Sequence, residues 1–186
     1  MTINSFIENR YHQKLKLPVK FIPNPRFFSG NQTSCHIKCD VNEVNQDLQM
    51  FLKHLGVYVM NMEVFGRTPV TNNFIHLDGD KFSDNVKINY VYGQGFMDWY
   101  NLKPDRKIIT ETNTIGTKHI RANDNDCEKV WSASIDESGS LVNVGVLHGV
   151  SNVTTTRWCY CLILGDILNS KRLQWNRALE LFQGYY

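Results

Sequence analysis

The sequence predicts a mainly β fold, either a two-sheet jelly roll or an antiparallel barrel, with flanking helices. Between about residues 57 and 165, short segments rich in β-branched and aromatic residues recur at intervals of roughly ten residues. Turn residues separate them, such as Gly79-Asp80 and Gly93-Gln94-Gly95. The chain has 186 residues, of which 42% are hydrophobic and 20% charged, a composition that suits a single domain over 1–186 with a full core.

A helix over about 41–55 is expected before the β region. Asp40 and Glu43 have the spacing of a reciprocal N-terminal cap, Gly56 fits the position after the last turn, and apolar residues recur between them at helical spacing. The β region follows, with "VYVMNMEVF", "NVKINYVY", "SLVNVGVLHGV" and "TTTRWCYCLIL" among its strands. A second helix is expected over about 170–183, where Leu168, Trp175, Leu179 and Phe182 form one apolar stripe.

Composition and charge argue against several functional classes. The net charge of +2 is too small to indicate a nucleic-acid surface, and no apolar stretch approaches the roughly 20 residues of a membrane span. The first ten residues, "MTINSFIENR", lack the pattern of a signal peptide, so a cytoplasmic protein is expected. "SCHIKC" resembles half of a zinc site, but no second half follows at a suitable spacing. The five cysteines are expected to be free thiols, mostly buried.

The segment "FIHLDGD" contains the first candidate for chemistry. His76 and Asp78 share one face of a strand because side chains alternate along it. A carboxylate buried in a barrel costs several kcal/mol unless it is satisfied, and a divalent metal would satisfy it. The alternative is a strand end where Asp78 caps the turn and His76 has an ordinary structural role.

Two further residues extend this candidate site. His148 ends the segment "LVNVGVLH", where it shares a face with Val144 and Val146 if the segment is one strand. Arg157 opens the next strand on the face of two cysteines, where its permanent charge requires an anionic partner. No acid on its own strand supplies one, so a bound carboxylate is expected. Two histidines and one carboxylate with open positions are the ligand set of non-haem iron oxygenases.

The ordered motifs resemble those of a known family. An "IHxDG" motif is followed by a strand containing Asn89, by the "WY" pair Trp99-Tyr100, and later by a His-x-x-x-Asn segment that runs into "RWCYCLIL". This pattern resembles the iron(II)- and 2-oxoglutarate-dependent dioxygenases, most nearly their aspartyl/asparaginyl β-hydroxylase-like branch of small bacterial and phage proteins. The N-terminal forty residues lie outside the resemblance.

The resemblance implies a fold, a reaction and a set of site residues. The fold would be a double-stranded β-helix of the cupin-like, jelly-roll type, and the reaction would hydroxylate an amino-acid side chain, free or in a protein, with Fe(II), 2-oxoglutarate and O₂. No catalytic residue is expected beyond the metal ligands. The implied metal ligands are His76, Asp78 and His148; the cosubstrate would contact Arg157 and Asn89; the substrate pocket would include Trp99 and Tyr100.

Two alternatives remain open from the sequence. In a non-catalytic cupin-like module the barrel would hold a ligand or a partner and the histidines would be incidental. Alternatively, the metal would be present without oxidation chemistry. Arg157 distinguishes these cases, because an oxygenase requires it inside the pocket, whereas in a binding module it can pair with a surface acid. His119, in the polar segment "IGTKHIRANDND", is expected to be exposed.

Overall fold

A computed structural model describes residues 10–24, 34–69 and 74–186, and the strands dominate it. Residues 1–9 lie outside the described residues, and they include most of the segment that lacks a signal-peptide pattern. The described elements are, in chain order: β1 His12–Lys14, β2 Ser34–Cys39, a 3₁₀ turn Val41–Glu43, α1 Gln46–His54, β3 Val57–Arg67, β4 Ile75–Asp78, β5 Val86–Tyr92, β6 Phe96–Leu102, β7 Ile109–Thr112, β8 Lys118–Ala122, a 3₁₀ turn Asp124–Asp126, β9 Cys127–Ser134, β10 Ser140–Asn143, β11 His148–Ser151, β12 Arg157–Asp166 and α2 Trp175–Leu181.

The strands form two antiparallel sheets of six strands each, which confirms the mainly β prediction. The first sheet has the order β1-β10-β5-β12-β3-β2, and the second has the order β7-β8-β4-β11-β6-β9. The pairing is nested: β3 pairs with β12, β4 with β11, β5 with β10, and β6 with β9. Successive pairs alternate between the first sheet and the second. The chain from β3 to β6 thus runs antiparallel to the chain from β9 to β12.

Strand β12 is the centre of the first sheet, and all ten of its residues are buried. It pairs with β3 on one side and with β5 on the other. One set of alternating side chains, from Trp158 to Leu164, packs in the apolar core that also includes residues of both helices, such as Leu48 and Ala178. The other set, which includes Cys159 and Cys161, faces the space between the sheets. Burial on both faces explains the continuous apolar sequence of this strand.

Both helices are shorter than the sequence predicts. Val44 is extended and almost completely buried, so it separates α1 from the preceding 3₁₀ turn, which Asp40 caps through a bond from the Asn42 N–H. The predicted α-helical cap at Asp40 is therefore wrong. Before α2, Leu173 donates to Leu164 O and accepts from Val86 N–H. These bonds keep the approach to α2 extended.

The segment "SLVNVGVLHGV", expected to form one strand, is divided between the two sheets. Its first part is β10 in the first sheet, and its last part is β11 in the second. The chain crosses between them at Val144–Leu147, where a Cβ on Gly145 would lie 2.3 Å from Ser83 O. A residue with a side chain cannot occupy this position without moving the backbone of the neighbouring segment. Neither helix in the described residues is long and apolar enough to cross a membrane.

Removal of a large side chain from the centre of β12 should destabilise the protein strongly. Leu162 is fully buried in the helix-side core, so we expect Leu162→Ala to lower the free energy of unfolding by about 2–5 kcal/mol. Leu168 is 81% exposed, and Leu168→Ala should change it by less than about 0.5 kcal/mol. Urea denaturation monitored by tryptophan fluorescence measures both. Equal losses in the two variants would contradict the assignment of the core.

Candidate metal centre

Two histidines and an aspartate converge between the two sheets. His76 and Asp78 lie on β4, and His148 is the first residue of β11, directly opposite His76 in the strand register. Residues directly opposite in an antiparallel pair have Cα atoms about 4.5–5.5 Å apart, so this register brings the two imidazoles together. Their ring centroids are 4.4 Å apart, and one ligand atom from each of the three residues lies within 4.8 Å of the others.

Backbone contacts orient both imidazoles. His76 Nδ1 lies 3.1 Å from Phe74 O, and His148 Nδ1 lies 2.9 Å from Val146 O. Each Nδ1–H can therefore donate to a carbonyl of its own chain segment, which leaves Nε2 unprotonated and available to a metal ion. This is the usual second contact of a metal-binding histidine, in which the donated hydrogen bond fixes both the tautomer and the ring orientation.

The carboxylate of Asp78 has two different neighbours. Its Oδ2 is 2.7 Å from Lys87 Nζ, and its Oδ1 is 3.6 Å from His76 Nε2. Lys87 is buried on β5 and also contacts Glu63 of β3 at 2.8 Å. The lysine therefore neutralises one oxygen of Asp78 and leaves the other to face the histidines. A metal ion can bind that oxygen without breaking the contact with Lys87.

The electrostatic environment keeps these groups in the forms that bind metal. Burial and the neighbouring His148 lower the pKa of His76 to about 3, and burial also lowers the pKa of His148. Burial alone would raise the pKa of Asp78, but the charge of Lys87 overcomes it and holds that pKa well below its usual range. At neutral pH the site therefore presents two neutral imidazoles and one carboxylate.

Arg157 and Asn89 lie in the same cavity as the three ligands. The cavity has a volume of about 80 Å³, and one water molecule needs about 10–15 Å³, so there is room for several waters. Arg157 is only 4% exposed, and its Nε has no hydrogen-bond partner among the described residues. Asn89 contacts Met97 Sδ through its Nδ2, while its buried Oδ1 is likewise unpaired. Buried polar atoms without a hydrogen-bond partner are rare in proteins, so these two atoms favour a polar ligand in the cavity.

Trp99 and Tyr100 were expected in the substrate pocket, but neither is among the side chains that line this cavity. Trp99 is fully buried in the core between the sheets, where its indole N–H donates to Asn143 O at 2.8 Å. Tyr100 points to the opposite face of the second sheet and packs against a separate apolar cluster. The alternation of β6 separates the two rings, and the hydrogen bond to Asn143 gives Trp99 a structural role.

The cysteines are free, as the sequence predicts, and two of them line the cavity. Cys159 Sγ and Cys161 Sγ are 3.4 Å apart on β12. In "SCHIKC", Cys39 is buried, and His36 stacks on Phe65 with ring centroids 4.0 Å apart. Among the described residues, the group that can hold a metal ion is the one formed by His76, Asp78 and His148, so "SCHIKC" adds no such group.

Sequence reasoning missed three residues close to the ligands. Glu63 and Lys87 are charged residues within apolar strands, and this interruption of the apolar pattern is the signal that identifies them. The prediction that His119 is exposed is wrong: it lies on β8, opposite Asp78 in the register, and is only 7% exposed. The neighbouring residues in the sequence are polar and suggest an exposed segment, but His119 lies on a strand that pairs with β4 and β7.

Comparison with models of known protein families finds none that matches the chain, and comparison with curated proteins finds no match either.

Loss of one histidine from the cluster should abolish tight metal binding. Loss of an outer contact to a metal ligand usually costs 10–100-fold in affinity, so we expect His76→Ala and His148→Ala each to weaken Mn(II) or Fe(II) binding by at least ~100-fold. His54 lies on the exposed side of α1, and His54→Ala is the matched control. Anaerobic equilibrium dialysis with metal analysis measures the affinities. Unchanged binding in both site variants would contradict the assignment.

Acidification should destabilise the metal-free protein through His76. The folded-state pKa is about 3 and the ordinary value is 6.5, so between these limits the unfolded chain binds a proton that the folded chain does not. Stability is therefore complete above pH 6.5 and declines as the pH falls through this window. We expect the free energy of unfolding to fall by about 1 kcal/mol more in the wild type than in His76→Gln between pH 7.0 and 5.5. Urea denaturation at the two pH values tests this, and an equal decrease in both proteins would contradict it.

Proposed function

We propose that this protein is an iron(II)- and 2-oxoglutarate-dependent oxygenase that hydroxylates a C–H bond of an amino-acid side chain, free or within a protein. The observation that carries the proposal is the convergence of His76, Asp78 and His148 in one cavity with the buried Arg157, whose Nε has no hydrogen-bond partner among the described residues. The three ligands would bind the iron, and the arginine would bind a carboxylate of a diacid cosubstrate.

The nested strand pairing supports the finer fold assignment. An antiparallel ribbon of two chain segments, wound so that successive strand pairs alternate between two sheets, forms a double-stranded β-helix. The pairs β3·β12, β4·β11, β5·β10 and β6·β9 have this arrangement. In this cupin-like fold, β1, β2, β7 and β8 extend the edges of the sheets.

The donor set fits Fe(II). Two imidazole nitrogens and one carboxylate oxygen are the ligands of the facial triad, which leaves coordination positions open for other ligands. With bonds of about 2.0–2.2 Å, one ion can join atoms at the observed separations after small side-chain adjustments. All three ligands lie on strands, and contacts to backbone carbonyls and Lys87 fix their orientations.

Arg157 and Asn89 fit a cosubstrate with carboxylate groups. Arg157 can donate paired N–H bonds to the distal carboxylate of 2-oxoglutarate, and the contact would give its buried Nε–H a partner. Asn89 can provide a further hydrogen bond from the neighbouring strand β5. Arg67 lies directly opposite Arg157 in the strand register and lines the same cavity, so it adds positive charge there. Arg157 and Asn89 bind and orient the cosubstrate.

The overall reaction is the conversion of a C–H bond, 2-oxoglutarate and O₂ into a C–OH group, succinate and CO₂. One oxygen atom of O₂ enters the product and the other enters succinate. The iron centre supplies the oxidising chemistry when it is bound. The protein holds the metal ligands in neutral and anionic forms, anchors the diacid at Arg157, and keeps the site between two packed sheets. A non-catalytic binding module is less well supported, because no described carboxylate is paired with Arg157.

The direct test is anaerobic addition of Fe(II) and 2-oxoglutarate to the purified protein. The proposal requires a weak visible charge-transfer band under these conditions and the release of succinate after O₂ is admitted. Absence of both from every metal-loaded preparation would reject the oxygenase assignment.

Arg157→Gln should weaken 2-oxoglutarate binding and leave metal binding unchanged. Loss of a charge-assisted contact in a buried site costs about 2 kcal/mol or more, which corresponds to ~30-fold in affinity. Arg106 is largely exposed and paired with Asp126 outside the cavity, so Arg106→Gln is the matched control. Titration of the charge-transfer band gives the affinity for 2-oxoglutarate. Equal affinity in wild type and Arg157→Gln would exclude Arg157 as the anchor.

A further inference from the structure

A second, wider cavity adjoins the metal centre. It has a volume of about 380 Å³, within the range of small-molecule sites. His76 and Asp78 line both cavities, whereas Arg157 and Asn89 line only the first and Arg172 and His119 line only the second. His76 and Asp78 therefore border both the cosubstrate side and a second side of the metal centre, as do Arg67 and Lys87. We refer to this second space as the outer cavity.

The outer cavity has an excess of positive charge. Its cationic residues are Arg67, Lys87 and Arg172, and its carboxylates are Glu63 and Asp78. Both carboxylates already contact Lys87, at 2.8 Å and 2.7 Å. Burial and the charge of Arg157 lower the pKa of Arg67, as expected for a guanidinium that lacks a nearby anion. The two arginines thus have no carboxylate partner among the described residues of this cavity, and a bound divalent metal would add further positive charge.

Arg172 has unused hydrogen-bond donors. Its Nε and Nη2 are buried and have no partner among the described residues. The residue is held before α2 by a bridge between its backbone and Gly165, so its position is defined by the first sheet. His119, across the cavity, has a buried Nδ1 without a hydrogen-bond partner among the described residues, and its Nε2 lies 3.5 Å from Glu111 Oε2. Buried guanidinium N–H groups without a partner are costly, and a ligand with a carboxylate removes that cost.

We infer that the outer cavity is the substrate site and that Arg172, with Arg67, binds a carboxylate of the substrate. The inference rests on the proposed function and narrows its substrate class to small carboxylates, either a free amino acid or an acidic side chain. Neutral segments in the interior of a polypeptide have no carboxylate, so the inference excludes them as substrates. The carboxylate would be held at Arg172, which lines only the outer cavity, whereas the cosubstrate is anchored at Arg157, which lines only the first.

The test is isothermal titration calorimetry on Mn(II)-loaded protein with 2-oxoglutarate present. The ligands are the twenty free L-amino acids and the corresponding C-terminal amides. At least one free amino acid should bind, and the amide of a neutral amino acid should bind at least tenfold more weakly. Amides of aspartate and glutamate retain a carboxylate in the side chain. If these are the only amides that bind, the recognised group is a side-chain carboxylate. Failure of every carboxylate to bind, or equal binding of acids and neutral amides, overturns the inference.

Matched variants identify the residue that binds the carboxylate. Arg172→Gln should lower the affinity for the amino acid at least tenfold, and Arg172→Lys should lower it less. Lys171 is the exposed neighbour, and Lys171→Gln should keep the affinity within twofold of the wild-type value. Equal effects of Arg172→Gln and Lys171→Gln overturn the assignment to Arg172. The charge-transfer band with Fe(II) and 2-oxoglutarate is recorded on the same preparations. If the band is present and no carboxylate binds, the substrate inference alone fails; if the band is absent, the proposed function fails.

Discussion

The direct pairing of His76 with His148 across β4 and β11 is the contact on which the candidate site depends. Antiparallel register places the two side chains opposite each other, and alternation along β4 places Asp78 on the same face. Three ligands thus come from two adjacent strands without any contribution from a loop. Ligands on strands are held more rigidly than ligands on loops, so the geometry does not require a conformational change before a metal binds.

Lys87 connects this cluster to the rest of the first sheet. Two carboxylates, Glu63 and Asp78, share its ammonium group in a buried position. Burial alone would raise the pKa of Glu63, but the charge of Lys87 outweighs it, and the pKa falls to about 2. Removal of one member of such a buried network leaves an uncompensated charge. The same contacts that neutralise Asp78 therefore also fix the position of this candidate metal ligand relative to β3 and β5.

Two of the candidate metal ligands, His76 and Asp78, line two spaces of different character. The first is narrow and contains Arg157, Asn89 and the pair of thiols on β12, whereas the outer cavity is wider and contains Arg172 and His119. The proposed reaction requires two such spaces, because a cosubstrate and a substrate must approach one centre from different sides. The excess of guanidinium groups over available carboxylates on both sides favours anionic ligands in each.

Alternation along single strands made part of the site predictable. His76 with Asp78, and Arg157 with the cysteines of β12, follow from period-two spacing and from the rule that a buried charge needs a partner. His148 was also identified, although the segment that contains it is two strands and not one. The error arose because the crossing at Gly145 depends on the close approach of Ser83, which lies more than sixty residues earlier in the chain.

The remaining features depended on contacts between distant segments. The burial of His119, the ion pairs of Lys87 and the hydrogen bond that places Trp99 in the core depend on which strands are neighbours. Period-two spacing specifies the face of a strand on which a residue lies. Only the tertiary structure decides which other strand that face meets, because strand pairing joins residues far apart in the chain.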